Sequence, residues 1–258
     1  MDHKMVDKYE KINFYDDKSH HYEDFWVGRD YEHLAETIAI NKLLSGRRYA
    51  VGIDYGGGYG RLSRTLLKYC DYLYLADPSD QQLDLAKSKL QSEPNIGFMK
   101  LEDEAVIPLG DSKLDLVVMV RVSHHLIDPA KTLVEINRVL KPGGQAVIEI
   151  ANAAHFLNRL KHYLRFQKLS KDPVRIGVVA NGINDVTPFV NHNPKTIEHL
   201  FKAHNLQVID KLSVSNLRSG LLKRTLGLSV ILAIEGFLQK KLAFLSFGPS
   251  IIYLVEKT

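Results

Sequence analysis

The chain has little cysteine, little net charge and no long apolar run. A single cysteine, Cys70, among 258 residues cannot form an intrachain disulfide, so nothing points to an oxidising compartment. A formal charge of +4 is too small to indicate a nucleic-acid partner. The longest uncharged apolar run near the carboxyl end, Thr225 to Ile234, is about half of the roughly 20 residues that span a bilayer. We therefore expect a cytoplasmic protein that does not bind nucleic acid.

Short apolar runs alternate with helical patterns between residues 45 and 151. The runs expected to form strands are Ala50–Asp54, Tyr72–Ala76, Ile96–Leu101, Asp115–Val120 and Gln145–Ala151. The segments expected to form helices are Gly60–Tyr69, Ser79–Leu90 and Asp128–Leu140. Strands that alternate with helices at this spacing predict a parallel sheet covered on both faces.

The alternation breaks after residue 151. Residues 156–175 carry six bases and one acid, and Phe156–Arg165 has leucines at helical spacing. Such a helix often packs as a lid on its own domain. Together with Leu221–Arg224 and Lys240–Lys241, it could instead make peripheral contact with an anionic membrane or admit a lipid-like acceptor. A loop through Gly177 to Pro188 is expected next.

Regular elements are expected again towards the carboxyl end: a helix over Pro194–His204, a strand over Leu206–Ser213, one or two helices over 219–245 and a strand over Ser250–Glu256. The economical organisation is a single domain over 1–258. Its expected parts are an N-terminal cap or lid over 1–45, a cofactor-binding core over 46–151, and substrate-side insertions over 152–193 and 217–247.

A glycine-rich turn follows the first expected strand. Residues 51–60 read Val-Gly-Ile-Asp-Tyr-Gly-Gly-Gly-Tyr-Gly, and the helical pattern after them makes a unit that presents bare backbone and a helix N-terminus to a ligand. Asp54 stands at the mouth of this turn. Its carboxylate would repel a dinucleotide pyrophosphate, but it suits a cofactor with an ammonium and a sulfonium group. The sequence therefore favours S-adenosylmethionine.

An acid ends the second expected strand. Asp77 lies nineteen residues after Gly58, where a carboxylate can accept hydrogen bonds from two ribose hydroxyls. NAD and adenosyl cofactors share this feature, so it indicates a nucleoside without separating the two. Capping of the helix that begins near Ser79 is a compatible second role.

Three more segments complete the pattern: Leu101–Leu109, Val120–Pro129 and Glu135–Gly144, the last of which ends in Leu-Lys-Pro-Gly-Gly. In this order and spacing, residues 48–151 resemble the class I S-adenosylmethionine-dependent methyltransferases, specifically the UbiE/type-11 small-molecule branch. The resemblance implies an α/β fold with a Rossmann-like seven-stranded sheet of order 3-2-1-4-5-7-6, with strand 7 antiparallel and helices on both faces. It also implies methyl transfer to an O, N or C atom of a small, partly apolar acceptor.

The resemblance also implies which residues bind the cofactor, position by position. Those expected at the methionine half are Asp54, Gly56, Gly58 and Arg121, and the last of these would also face the substrate pocket. Gly60 is a further expected cofactor-binding residue.

At the nucleoside end, Asp77 would hold the ribose hydroxyls and Pro78 would lie beside the adenine. Asp103 would accept a hydrogen bond from the adenine amino group, supported by the backbone of Glu104.

An N-terminal aromatic segment, from Tyr15 to Tyr31, resembles the lid of related enzymes. Arg29 would then pair with the methionine carboxylate of the cofactor. The alternative is that Phe25 and Trp26 only dock a cap helix on the core.

Histidines are the candidates for proton transfer on the substrate side. His124 and His125 follow Arg121 closely, and His192 precedes the Pro194–His204 helix. A neutral imidazole can take a proton from a hydroxyl or amine acceptor, which makes each a candidate general base. The alternative is that the paired histidines only shape the turn into the next helix. No acidic cluster follows the fourth strand, so no metal is assigned.

Two other functions remain open. One is a catalytically inactive, methyltransferase-like binding or scaffold protein. The other is a nicotinamide-dependent oxidoreductase, against which Asp54 and the missing G-x-G-x-x-G spacing count.

Overall fold

The computed structural model describes residues 22–102, 106–179 and 186–258. Its helices are α1 (Asp30–Leu44), α2 (Ser63–Leu66), α3 (Asp80–Lys89), α4 (Pro129–Val139), α5 (Phe156–Leu164), α6 (Pro194–Ala203), α7 (Gly220–Leu226) and α8 (Leu228–Ala243). Its strands are β1 (Tyr49–Tyr55), β2 (Cys70–Asp77), β3 (Ile96–Lys100), β4 (Leu114–Met119), β5 (Leu140–Ala151), β6 (Val174–Val179), β7 (Val186–Asn191), β8 (Leu206–Val214) and β9 (Ser250–Lys257). Short 3₁₀ helices cover Tyr22–Trp26 and Ser123–His125.

Seven of these strands form one sheet in the order β3-β2-β1-β4-β5-β9-β8. The pairs from β3 to β5 are parallel, whereas β9 runs antiparallel to both β5 and β8. Counted within the sheet, β8 and β9 are strands 6 and 7, so the expected order and the antiparallel last strand are confirmed. The strand order reverses between β1 and β4, and a ligand site is expected at the carboxyl ends of strands on either side of such a switch point.

Apolar side chains pack against both faces of the sheet. On one face, Ile136 of α4 and Phe201 of α6 are buried with Ile53 and Tyr253. On the other face, Ile40 of α1 is buried in a second cluster. The sheet is therefore rigidly held between helix layers, and the loops at its carboxyl edge are presented from a fixed frame.

The helix expected over Gly60–Tyr69 is much shorter in the structure, where α2 covers only Ser63–Leu66. Several amides around α2 donate to the carbonyl three residues earlier, as Thr65 does to Leu62 and Tyr69 does to Leu66. This is 3₁₀ geometry, which tightens the turns before and after a short α-helix.

A second, two-stranded sheet replaces much of the expected loop through Gly177 to Pro188. β6 and β7 pair antiparallel, with Gly177 opposite Pro188. Both segments are rich in β-branched residues, which favour strands, and a proline is tolerated because each strand of a two-stranded sheet is an edge. The expectation of a loop here was therefore wrong for β6 and β7, and residues 180–185 lie outside the described part. The division of 1–258 into cap, core and insertions stays a prediction.

Candidate cofactor and acceptor site

The glycine-rich turn after β1 needs glycine for its conformation. Gly56, Gly58 and Gly60 have positive φ angles of 67°, 55° and 82°. A Cβ on Gly56 would lie 2.3 Å from Cγ2 of Val122. A side chain at Gly56 would therefore be strained by its own backbone and would collide with the segment that follows β4.

The Asp77 carboxylate connects this turn to the end of β2. Its Oδ2 accepts a hydrogen bond of 2.8 Å from the Gly58 amide, and its Oδ1 accepts one of 2.9 Å from the Ser79 amide. The Ser79 hydroxyl in turn accepts from Gln82 and caps α3. Ser79, and not Asp77, is therefore the N-cap of α3. Asp77 is buried at the carboxyl edge of the sheet, beside the glycine-rich turn. Pro78, between them, is exposed.

Asp54 is a buried carboxylate under the same turn. It is 3% exposed and accepts a hydrogen bond of 2.7 Å from the Ser63 hydroxyl. Burial raises the pKa of Asp54 to about 6, which the Ser63 hydrogen bond partly opposes. A Cβ on Gly57 would lie 2.8 Å from the Asp54 carboxyl carbon. Gly57 is therefore needed for the turn to close over this carboxylate, a role that the sequence did not indicate.

Two guanidinium groups share one buried carboxylate beside the turn. Glu36 of α1 is 1% exposed. Its Oε2 lies 2.6 Å from Arg61 and its Oε1 lies 2.8 Å from Arg121. Trp26 packs on both cations, with the guanidinium carbon of Arg61 3.7 Å and that of Arg121 5.4 Å from its ring centroid. The cluster therefore leaves one net positive charge next to Asp54.

The backbone at Arg121 is held in an uncommon conformation. Its φ is 65°, and its amide donates to Oε2 of Glu149 at 3.2 Å. Glu149 is fully buried, and its Oε1 accepts from the Ser250 hydroxyl at 2.6 Å. Burial raises the pKa of Glu149, and the positive charge of Arg121 opposes that rise. A left-handed arginine is uncommon and is found where the surrounding structure fixes it, often at a ligand site.

A cavity of about 30 Å³ lies between the turn and the two arginines. The residues that line it are Asp54, Gly56, Gly57, Gly58, Tyr59, Arg61, Leu62, Val120 and Arg121. The cavity therefore brings together four of the predicted cofactor residues, Asp54, Gly56, Gly58 and Arg121, and adds Arg61, whereas Gly60 is not among its lining residues. Arg29 is not among these lining residues, and its guanidinium lies 3.6 Å from the ring centroid of Phe25. Asp103 and Glu104 lie outside the described residues.

The paired histidines lie on the 3₁₀ turn after β4. The ring centroids of His124 and His125 are 4.1 Å apart, and Phe189 of β7 contacts both rings. Burial lowers the pKa of His125 to about 4 and lowers that of His124 well below its usual value. Both imidazoles are therefore uncharged at neutral pH.

The His192 side chain is buried and is held by a hydrogen bond. It is 2% exposed, and its Nε2 lies 2.9 Å from the Ser123 carbonyl oxygen. Burial lowers its pKa, and hydrogen bonds to backbone carbonyls partly oppose this. An Nε2 that donates to a carbonyl orients the ring and ties the end of β7 to the 3₁₀ turn.

His192 also borders a larger cavity, of about 220 Å³. Its other lining residues are Ile127, Asp128, Pro129, Lys171, Pro173, Asn193, Thr196, Ile197 and Leu200. The cavity lies between the N-terminal ends of α4 and α6. Apolar walls with a few polar groups are typical of small-molecule sites.

The described residues, taken alone, contain no group of three histidine, cysteine or acidic side chains placed to hold a metal ion. Within the same ranges, no helix is long and apolar enough to cross a membrane.

Part of the chain matches a known protein family. Residues 53–148 match the family model described as a methyltransferase domain. An uncharacterized methyltransferase of Mycobacterium tuberculosis is 33% identical over 107 residues, which cover 42% of each chain. The demethylmenaquinone methyltransferase of Clavibacter sepedonicus is 30% identical over 122 residues, which cover 47% of this chain and 48% of that protein.

Residues 53–148 are therefore similar to the methyltransferase domains of class I enzymes of the UbiE/type-11 kind. The cofactor of such domains is S-adenosylmethionine. The chain spans less than half the length of the two relatives named above. A crystal structure of an S-adenosylmethionine-dependent methyltransferase from Thermotoga maritima superposes with a TM-score of 0.57, covering 92% of this chain and 95% of that one. At 18% identity, this likeness shows the shared fold.

Some residues around the cavity beside the glycine-rich turn were not predicted from the sequence. Glu36 could have been found, because an acid on the buried face of a helix requires a cationic partner. Arg61 directly follows the last glycine of the turn, and this position is the signal that could have indicated it. Glu149 lies within an apolar strand pattern, and only its neighbours in space show what it holds.

Proposed function

We propose that this protein transfers a methyl group from S-adenosylmethionine to an O, N or C atom of a small, partly apolar and lipid-like acceptor. The observation that carries the proposal is the Asp77 carboxylate, which is fixed by the amides of Gly58 and Ser79 at the carboxyl edge of β2. A carboxylate held at this edge of the sheet has the position and the acceptor chemistry for ribose hydroxyls.

The residues of the turn fit the charge of this cofactor. Asp54 is buried with its pKa raised, so its ionised form is poorly stabilised by the protein alone. A ligand ammonium group beside it would stabilise that form. Arg121 and Arg61 supply the positive charge that a ligand carboxylate would need, with Arg29 as the further candidate for that role. Pro78, Asp103 and Glu104 remain the proposed contacts of the adenine.

Cofactor binding requires the side chains that close the small cavity to move. The cavity of about 30 Å³ holds one or two water molecules, whereas ligand pockets commonly enclose about 300–1,000 Å³. The side chains that close it are Arg121 and Arg61, held by Glu36 and packed on Trp26. We therefore propose that Trp26 and its neighbours act as the lid, opening for entry and excluding water once the cofactor is bound.

The cofactor supplies a methyl group on a sulfonium, and the chain's residues align the acceptor with it. Displacement of this kind loses charge, so a dry site and close alignment contribute most to the rate. His125 is uncharged at neutral pH and can receive a proton, but with a pKa of about 4 it is a weak base until an acceptor changes its surroundings. His124 is the second candidate, and His192 serves better as the group that positions their turn.

The 220 Å³ cavity supports a small acceptor with apolar parts. Ile127, Ile197 and Leu200 give it apolar walls, and Asp128 and Asn193 give it polar ends. We propose it as part of the acceptor site, reached from the carboxyl edge of the sheet.

The first test is calorimetric titration of the protein with S-adenosylhomocysteine, with NADH as the control ligand. Micromolar binding of S-adenosylhomocysteine alone supports the proposal, and binding of NADH alone would replace it with an oxidoreductase. Methyl transfer from labelled S-adenosylmethionine to separate lipid and aqueous metabolite fractions then tests catalysis. Cofactor binding with no labelled product in either fraction would favour an inactive binding protein.

A further inference from the structure

Helix α5 is amphipathic, and its apolar face points away from the protein. At about 100° per residue, its apolar side chains fall within an arc of about 120°. These side chains and their exposed fractions are Phe156 (41%), Leu157 (68%), Leu160 (43%), Tyr163 (78%) and Leu164 (67%). A surface helix of a globular protein ordinarily turns such an arc inwards. In α5 no residue is buried.

The polar side of α5 contacts the protein instead. Asn158 donates a hydrogen bond of 2.5 Å to the Ala153 carbonyl, and Asn158, Arg159 and His162 are each partly buried. The helix is thus seated on its polar residues. Exposed apolar patches of this kind mark interaction sites, so we expect another surface to cover the apolar arc.

The start of α5 is anchored to a second exposed apolar segment. The Phe156 amide donates to the Phe247 carbonyl at 2.9 Å, and the two rings stack with centroids 4.9 Å apart. Phe244 and Leu245, just before this contact, are 76% and 38% exposed. The apolar surface therefore continues from α5 into the turn that follows α8.

Basic residues border the apolar arc. On the helical wheel, Lys161 lies about 40° beyond Leu157 at one edge and Arg159 lies about 40° beyond Tyr163 at the other. Arg165 and Lys168 follow and are exposed, and residues 156–175 contain one acid against six bases. Long basic side chains at the edges of an apolar face can reach the phosphates of a lipid surface while the apolar groups enter it.

We propose that the outward face of α5, continued by Phe244 and Leu245, docks on an anionic phospholipid surface. The charge distribution favours this occupant over a second copy of the chain. In a two-fold contact through α5, the same bases would face each other with almost no acids to pair with them. The other expected basic segments are less suitable, because Lys223 pairs with Glu32 at 2.8 Å and Lys240 pairs with Asp210. The proposal does not depend on methyl transfer.

Flotation of the protein with vesicles tests this proposal. We expect binding to phosphatidylcholine vesicles that contain phosphatidylglycerol, weaker binding to phosphatidylcholine alone, and loss of binding as salt is raised. The double substitution Leu157→Glu and Leu164→Glu should weaken binding more than tenfold. Val134→Glu is the matched control, because Val134 is a 50% exposed apolar residue on α4.

A second pair of variants tests how much the basic residues of α5 contribute to vesicle binding. Lys161→Glu should weaken binding to the anionic vesicles several-fold, whereas Lys131→Glu, an equal change at an exposed position of α4, should not. No binding to anionic vesicles at low salt would overturn the proposal, as would equal effects of the α5 and α4 variants. Sedimentation velocity covers the alternative: a dimer that Leu157→Glu dissociates, with no vesicle binding, would assign the face to self-association.

Discussion

Arg121 and Glu36 form an ion pair of 2.8 Å that joins the loop after β4 to the buried face of α1. The other oxygen of the same carboxylate lies against Arg61, so one acid holds two cations that border the cavity beside the glycine-rich turn. If this cavity binds the cofactor as proposed, Glu36 links cofactor binding to the docking of α1.

Replacing Glu36 by glutamine tests that link. Glu36→Gln should lower the free energy of unfolding by about 2–3 kcal/mol, less than for a wholly buried pair because both arginines keep some contact with solvent. Urea unfolding measures the change. Glu93→Gln is the control, since its pair with Arg64 is on the surface and should contribute less than about 1 kcal/mol. Similar midpoints for the two variants would contradict the role given to Glu36.

Loss of the Asp77 carboxylate should weaken cofactor binding. Asp77→Ala should reduce the affinity for S-adenosylhomocysteine at least about tenfold, because hydrogen bonds to a charged group contribute about 1.5–3 kcal/mol each. Calorimetry provides the measurement, with Asp84→Ala on the exposed side of α3 as the control. The amides of Gly58 and Ser79 also lose their acceptor, so the variant should be less stable than the wild type. It should still fold. Near-normal affinity would remove the ribose assignment.

Substitution at Gly56 combines two destabilising effects, the strain of a positive φ and the collision of an added Cβ with Val122. Gly56→Ala should destabilise the protein by about 2–4 kcal/mol and abolish cofactor binding, because a positive φ and the contact with Val122 both oppose a Cβ. Gly46→Ala is the matched control, since Gly46 has a φ of 73° with no atom near the added Cβ. It should lose about 1 kcal/mol and bind normally. Equal losses for the two would show that the contact with Val122 is easily relieved.

Ionisation of Asp54 should make cofactor binding depend on pH. The pKa of Asp54 in the native protein is about 6, above the usual value of 3.8. Between these two pH values, the native state keeps the carboxyl proton and the unfolded state has released it. The stability of the unliganded protein therefore falls as pH rises from about 4 to about 6. A ligand ammonium favours the ionised form, so affinity for S-adenosylhomocysteine should rise about tenfold between pH 5 and pH 8.

The variant Asp54→Asn isolates this effect. Its affinity should be lower at pH 8 and nearly constant across the same range. Calorimetry at both pH values, on wild type and variant, provides the comparison. A pH dependence that the variant retains in full would assign the titration to another group.

Local patterns predicted the part of the fold that carries most of the proposed cofactor residues. Strand β1, the glycine turn and Asp77 lie close together in the chain, and each has a residue pattern that its backbone requires. The β6–β7 hairpin could not be predicted in the same way, because Gly177 and Pro188 indicate a loop unless the pairing of the two segments is known. Pairing is a tertiary property, and it outweighed local preference.

Contacts between distant segments account for the rest. Glu36, Arg61 and Arg121 belong to three separate segments of the chain, and only the docking of α1 on the sheet brings them together. The orientation of α5 is a different case. Its pattern predicted an amphipathic helix, but an apolar face is ordinarily taken to be the buried one, and here that face is exposed.

Cys70 gives the protein a practical property. It is the only cysteine, it is buried at the start of β2, and burial raises the pKa of its thiol to about 12. Thiol-specific reagents act on the accessible thiolate, so the native chain should remain unmodified by them. A cysteine introduced at a surface position such as Leu157 would then be the single labelling site. Fluorescent or spin probes can therefore be placed on α5 or near Trp26 in the otherwise natural sequence.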